Sequence, residues 1–291
     1  MVNFKHIHII TSVLLALLFF SCESEPIDHT KIVVEGWIDA GKHPVVMLHT
    51  SYSLNAAKYP DSTKLLDILE EHMVLFGRVV ISDGEDSAVL IGRMDTNYLP
   101  PYIYTTTQIR GEEGKIYTLQ ATYKDYVATS TSEIYDRAQL DSISVTQHGD
   151  KMNVVGYAND LEIGAPYILM ARLANGKQYK ICPMGAFRAT KRQMAMTINN
   201  PLKFADENMM LQTLFPKLDE LISIKFARIG EAEFLMWDSY IAQNLTQGLF
   251  FMETHSNISS NIQGGNGYWC GMGASEYTIR LSGERTYVFE K

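Results

Sequence analysis

Apolar and polar residues alternate along most of this chain in short runs set off by turn residues, and that period of two predicts β-strands. In the first half, strands are expected at 32–38, 44–50, 74–82, 88–91, 102–104, 116–123 and 126–129. Asp83-Gly84 stands between two of these runs and suits a hairpin, because glycine tolerates a positive φ. Pro100-Pro101 interrupts the pattern ahead of 102–104, since proline has no N–H to give to a ladder. Strands at this spacing read as an Ig-like β-sandwich over residues 31–135.

The second half continues with strands at 141–147, 152–157, 167–173 and 221–229. In the last of these, Ile222, Ile224 and Phe226 share one face while Ser223 and Lys225 take the other, the pattern of a half-buried strand. A helix follows at 231–247, where Phe234, Trp237, Ile241 and Leu245 recur at spacings of three and four. Glu231 and Glu233 stand in its first turn, where the positive end of the helix dipole favours them, and Gly248 can end it. The apolar stripe reads as cover for a sheet. A shorter helix is expected at 62–71, within an irregular insertion that begins at 56. The Asn-, Ser- and Gly-rich stretch 257–273 reads as loop, and 277–281 with 286–289 as a closing hairpin. The expectation is a mainly β protein with a second β-rich domain over 136–291 and one packed amphipathic helix.

The beginning of the chain has a different pattern. Lys5 precedes an apolar run over residues 7–20, which is short for a membrane-spanning helix of about 20 residues. It suits the h-region of a signal peptide covering residues 1–21. Ser21 and Cys22 then read as the end of a lipobox, so the mature chain is expected to begin at Cys22 and carry lipid there. Residues 22–30 form a lipidated linker. Within it Glu23 and Glu25 resemble the acidic export signal that takes lipoproteins of Bacteroidetes to the exterior of the outer membrane.

Charge removes one class of partner. The chain from Cys22 onward has 24 basic against 33 acidic residues, a net of −9, and no basic cluster. That gives no electrostatic footprint for nucleic acid. Cys182 and Cys270 lie far apart, outside any CxxC pattern; an exported compartment permits a disulfide between them, and two separate buried thiols are the preferred reading.

The search for chemistry finds little. Of the histidines after Cys22 (His29, His43, His49, His72, His148, His255), no two have the spacing of a local metal site, and they read as surface or loop residues. No GxSxG, HExxH or P-loop pattern occurs. No cofactor and no catalytic residue is therefore expected. Glu70-Glu71 and Glu112-Glu113 read as solvated charge, and Asp83-Gly84-Glu85-Asp86 as a turn rather than a Ca²⁺ site. Two stretches are candidates for binding. Tyr98, Tyr102 and Tyr104 form either an aromatic platform for a glycan or peptide, or strand aromatics packed between sheets. Trp269 follows a glycine-rich segment and either meets a ligand or plugs the core of the second domain. Ser62, Ser87 and Ser142 each follow an aspartate, resembling the O-glycosylation sequon of Bacteroidetes.

Five stretches occur in an order that resembles a known family: Lys31-Ile-Val-Val-Glu-Gly-Trp-Ile38, Val79-Val-Ile-Ser-Asp-Gly-Glu85, Tyr98-Leu-Pro-Pro-Tyr-Ile-Tyr104, Gly111-Glu-Glu-Gly-Lys-Ile-Tyr-Thr-Leu119 and Asn261-Ile-Gln-Gly-Gly-Asn-Gly-Tyr-Trp269. Together they are similar to the Bacteroidetes outer-membrane lipoproteins with domain of unknown function 4249. Cys270 departs from the pattern, where a small residue usually follows the Trp. The resemblance implies a lipoprotein often encoded beside a TonB-dependent receptor, and it implies no catalytic residues. The expected role is thus a binding or accessory component of a nutrient-uptake receptor. An adhesin or fimbria-related structural protein and a carbohydrate-active hydrolase with a loop-built site stay open as alternatives.

Overall fold

The computed structural model describes residues 31–51, 65–148, 151–178, 181–199, 202–205, 211–214, 221–244 and 259–280. The protein is mainly β. Its first part contains β1 (Ile32–Asp39), β2 (Val45–Thr50), α1 (Leu65–His72), β3 (Arg78–Ser82), β4 (Ser87–Met94), β5 (Tyr102–Thr105), β6 (Ile116–Tyr123) and β7 (Tyr126–Glu133). The second part has β8 (Ser142–His148), β9 (Lys151–Ala158), β10 (Pro166–Leu173), β11 (Cys182–Arg188) and β12 (Met194–Asn199). It continues through β13 (Leu202–Ala205), β14 (Leu211–Leu214), β15 (Leu221–Arg228), α2 (Glu231–Asn244) and β16 (Asn266–Arg280).

Among the described residues, eleven strands make one sheet in the order β11-β10-β15-β16-β1-β2-β5-β4-β3-β6-β7. Within it β1 and β16 run parallel, from Val33 beside Asn266 to Asp39 beside Met272. The sheet curls over itself, so that residues of β3, β6 and β7 pack with those of β1 and β2 in a first core. A second core lies between β10, β15 and β16 and the small sheet β12-β9-β8, where Tyr167 stacks on Phe226 with ring centroids 5.4 Å apart. The expected boundary near Tyr135 falls between β7 and β8, where the first core gives way to the second. One sheet nevertheless runs through both, and Lys31–Lys291 form one compact unit.

Three expectations change. The glycine-rich stretch before residue 273 is not all loop, because β16 begins at Asn266 and runs unbroken for 15 residues. Its glycines mark close approach instead: a Cβ on Gly267 would stand 1.9 Å from the Val34 carbonyl oxygen, and one on Gly271 2.6 Å from that of Glu133. Second, Trp269 fills the first core rather than the second. It is 0 % exposed, and its indole N–H donates to the Tyr117 carbonyl at 2.9 Å. Asn261 brackets the same residue, donating to the Trp269 carbonyl at 2.7 Å and accepting from its N–H at 3.0 Å. Third, β15 is buried on both faces, Ser223 and Lys225 included: on the side that the alternation left polar, α2 packs over Ala227, while Ser223 and Lys225 sit at the floor of a cavity. The strands β11 to β14 were not foreseen. The helix expected at 62–71 is α1, while residues 52–64, 245–258 and 281–291 lie outside the described residues.

Candidate functional site

The site grows out of the second face of β15. Strands β10, β15, β16 and β1 lie side by side, and register sets their residues in rows. Met170 pairs with Lys225, Lys225 with Glu276, Arg172 with Ser223, and Asp39 with Met272. At one end of this face the residues are apolar: Ile168, Ala227, Ile229 and Cys270. Helix α2 seals them with Met236 and Trp237. Beyond the helix the face turns polar and stays uncovered. It forms the floor of a cavity of about 240 Å³, with Trp37, Tyr98, Trp237 and Tyr268 among its lining.

Lys225 and Asp39 meet on that floor at 2.6 Å, with side chains 8 % and 5 % exposed. Taking either charge out of water alone would be costly, so each makes the other tolerable. Lys42 reaches in from the mouth, 3.4 Å from Asp39, and pairs also with Glu276. Burial pulls the Lys42 ammonium down, but Asp39 and Glu276 outweigh it and hold its pKa above the usual lysine value. Arg172 gives Nη1 to the carbonyls of Leu173 at 3.2 Å, Ala174 at 3.0 Å and Gly176 at 3.4 Å. Among the described residues it has no carboxylate partner.

The aromatic walls are ordered by their own contacts. Trp37 and Tyr98 stand 6.0 Å apart between ring centroids, and Trp237 and Tyr268 5.3 Å apart, both pairs tilted. Burial pushes the phenols of Tyr98 and Tyr268 upward, so both stay neutral hydrogen-bonding groups near neutral pH. Among the described residues, the buried Nε1–H of Trp237 has no hydrogen-bond acceptor. The Cys270 thiol lies near enough to feel this dipole, though not in hydrogen-bonding geometry. Cys270 itself is a free, buried thiol whose pKa is driven well up by desolvation, and it has no disulfide partner.

Residues 20–278 match the family model described as domain of unknown function DUF4249. The chain belongs to that family. A search of curated proteins finds no match. The five stretches that carry the DUF4249 resemblance all send side chains into the first core: Ile32, Val79, Tyr104, Tyr117 and Trp269 are one from each. They are signatures of the fold. Of the cavity residues, only Trp37, Tyr98 and Tyr268 fall within them.

The structure therefore separates the candidate binding residues of this DUF4249 chain. Tyr98 lines the cavity. Tyr102 and Tyr104 lie on β5, with rings edge to face at 5.4 Å, and support the segment between α1 and β3. There Tyr102 donates to the Leu75 carbonyl at 2.8 Å, and the buried Tyr104 hydroxyl donates to that of Val74 and accepts from Gly77 N–H at 2.9 Å. Trp269 is remote from the cavity, inside the first core. Ser87 and Ser142 are exposed at strand starts, whereas Cys22, Glu23, Glu25 and Ser62 lie outside the described residues. Asp83-Gly84 turns the β3–β4 hairpin as expected, with Gly84 at φ +94°. His49 departs from the expected surface placement: it is 1 % exposed, with Nε2 3.4 Å from a Glu35 carboxylate oxygen. No group of three or more metal-ligating side chains is assembled among the described residues.

Asp39, Lys42, Arg172, Lys225 and Glu276 were missed. One local signal existed, a lysine at the middle of a mostly apolar strand. Their meeting depends on strand order, which local alternation does not encode.

Proposed function

We propose that this chain is a lipid-anchored outer-membrane protein, facing the cell exterior, that binds a small ligand as an accessory to a TonB-dependent uptake receptor. The observation that carries the binding role is the uncovered end of the β10-β15-β16-β1 face. There a buried ion pair and four aromatic side chains line a cavity of about 240 Å³. Ligand sites combine apolar and aromatic walls with a few convergent polar groups, and this cavity has that composition. The anchor is supported by the short apolar run that ends at Ser21-Cys22, and the family match, which starts at residue 20, takes in Cys22. Glu23 and Glu25 support the outward orientation.

Fractionation and gentle detergent extraction of the outer membrane test the proposal together. Wild-type protein should stay with the membrane and co-purify with a TonB-dependent receptor, and Cys22→Ala should move to the soluble fraction. A Cys22→Ala protein that remains membrane-bound would refute the anchor. Extracts without any receptor would refute the accessory role.

A further inference from the structure

The charges around the cavity do not balance. Lys42, Lys225 and Arg172 face two carboxylates, Asp39 and Glu276. Lys225 is neutralised by Asp39 at 2.6 Å, and Lys42 by Asp39 and Glu276. Arg172 is left with one positive charge and no carboxylate partner among the described residues. Its geometry is already set, because Nη1 donates to the carbonyls of Leu173, at the end of β10, and of Ala174 and Gly176 just after it. Those bonds occupy one nitrogen of the fork. A guanidinium held this way is prepared for an oxyanion, and planar carboxylates match it best. A single excess charge favours a monoanion over a phosphate dianion.

The size of the cavity narrows the choice further. At about 240 Å³ it lies just below the usual range of roughly 300–1,000 Å³ for drug-sized ligands. It holds one ring, not a chain of them. Trp37 and Tyr98 stand on the β1 side of that space, and Trp237 on the α2 side. Aromatic faces of this kind accept either the apolar face of a sugar or another aromatic ring.

From these observations we propose that the cavity binds a single-ring organic monocarboxylate, with its carboxylate on Arg172 and its ring between the aromatic walls. This assignment rests on reading the cavity as the ligand site. The same chemistry has two sources, a sugar acid or an aromatic acid.

The test uses the full-length protein in detergent and calorimetric titration with four probes: glucuronate and phenylacetate, each beside its uncharged amide. At least one acid should bind saturably, with its amide at least tenfold weaker, and the acid that binds identifies the source. Arg172→Gln should weaken that acid at least tenfold. Tyr98→Ala, at the cavity wall, should weaken acid and amide alike. Equal binding of an acid and its amide would overturn the proposal, and so would an Arg172→Gln protein of wild-type affinity. If Arg172→Gln fails to fold, the acid–amide comparison on the wild-type protein decides alone. Failure of both acids while the receptor still co-purifies would reject the ligand class and leave the accessory role standing. Acid binding without a receptor would do the reverse.

Discussion

Removing the Lys225 ammonium would leave Asp39 buried with only Lys42 for company, 3.4 Å away at the cavity mouth. Breaking a buried pair from one side typically costs about 3–5 kcal/mol. Because Lys42 remains, Lys225→Met should fall near the lower end, about 3 kcal/mol in urea unfolding. Replacing both partners, Asp39→Leu with Lys225→Met, should recover part of that loss, since neither charge then needs to be desolvated. A double mutant less stable than the single would contradict this account of the floor. A second residue ties stability to pH. The Asp83 carboxylate accepts from the N–H groups of Asp86 at 2.7 Å and Glu85 at 3.1 Å and pairs with Lys115 at 3.0 Å. The Asp86 hydrogen bond first, then Lys115, hold its pKa down to about 2. A carboxyl lowered in the folded state stabilises above its unfolded value of about 3.9 and loses that contribution as pH falls toward the folded one. Between about pH 4 and 2 the wild type should therefore lose stability more steeply than Asp83→Asn. Acid titrations in which the two proteins lose stability in parallel would mean that another group governs this range.

Strand β16 depends on residues without side chains at its crossings. Gly267 combines φ +105° with a Cβ position 1.9 Å from the Val34 carbonyl oxygen. Gly84 has a similar φ, +94°, with nothing within 4 Å. Gly84→Ala should cost only the conformational strain of about 1–3 kcal/mol, while Gly267→Ala should cost clearly more and disturb the β1–β16 register. Thermal unfolding of the pair separates strain from collision, and equal losses would mean that the backbones can move apart. The same glycines explain why this element was hard to read. Composition alone marks Gly264-Gly265-Asn266-Gly267 as loop, and only the path of β1 and β7 beside it makes it strand. Elements with clean alternation or a helical stripe, such as β3, β6, β15 and α2, were legible. Strands β11 to β14 were not, because Pro183, Gly185 and the mixed polar residues around Thr190 to Arg192 break the period. Of the cavity, Tyr98 was legible as an exposed-type aromatic. The floor charges were not, since Asp39 and Lys225 come from opposite halves of the chain.

For the whole molecule, the arrangement joins two hydrophobic cores through one sheet, with Trp269 of the last described strand inside the first core. A fragment ending at residue 135 lacks Trp269 and the parallel partner of β1. Deleting a large buried aromatic alone costs about 3–5 kcal/mol, against a total stability of about 5–15 kcal/mol for a typical domain. That fragment should therefore show no cooperative transition by circular dichroism, even though it spans an entire expected sandwich. The intact protein should unfold in a single step, with far-ultraviolet dichroism and tryptophan fluorescence coincident. Separate transitions would mean that the shared sheet does not couple the cores.

The pairing of Val33 with Asn266 also sets an order in time. During synthesis β1 emerges well ahead of β16, one of its two neighbours, with most of the described strands made between them. Contacts this distant in sequence form slowly, because the intervening chain must be drawn together first. The nascent polypeptide thus lacks a closed first core until β16 has been made. On the proposed export route through a translocation channel this delay would be useful, because the strand that closes the first core follows more than about 200 residues behind β1.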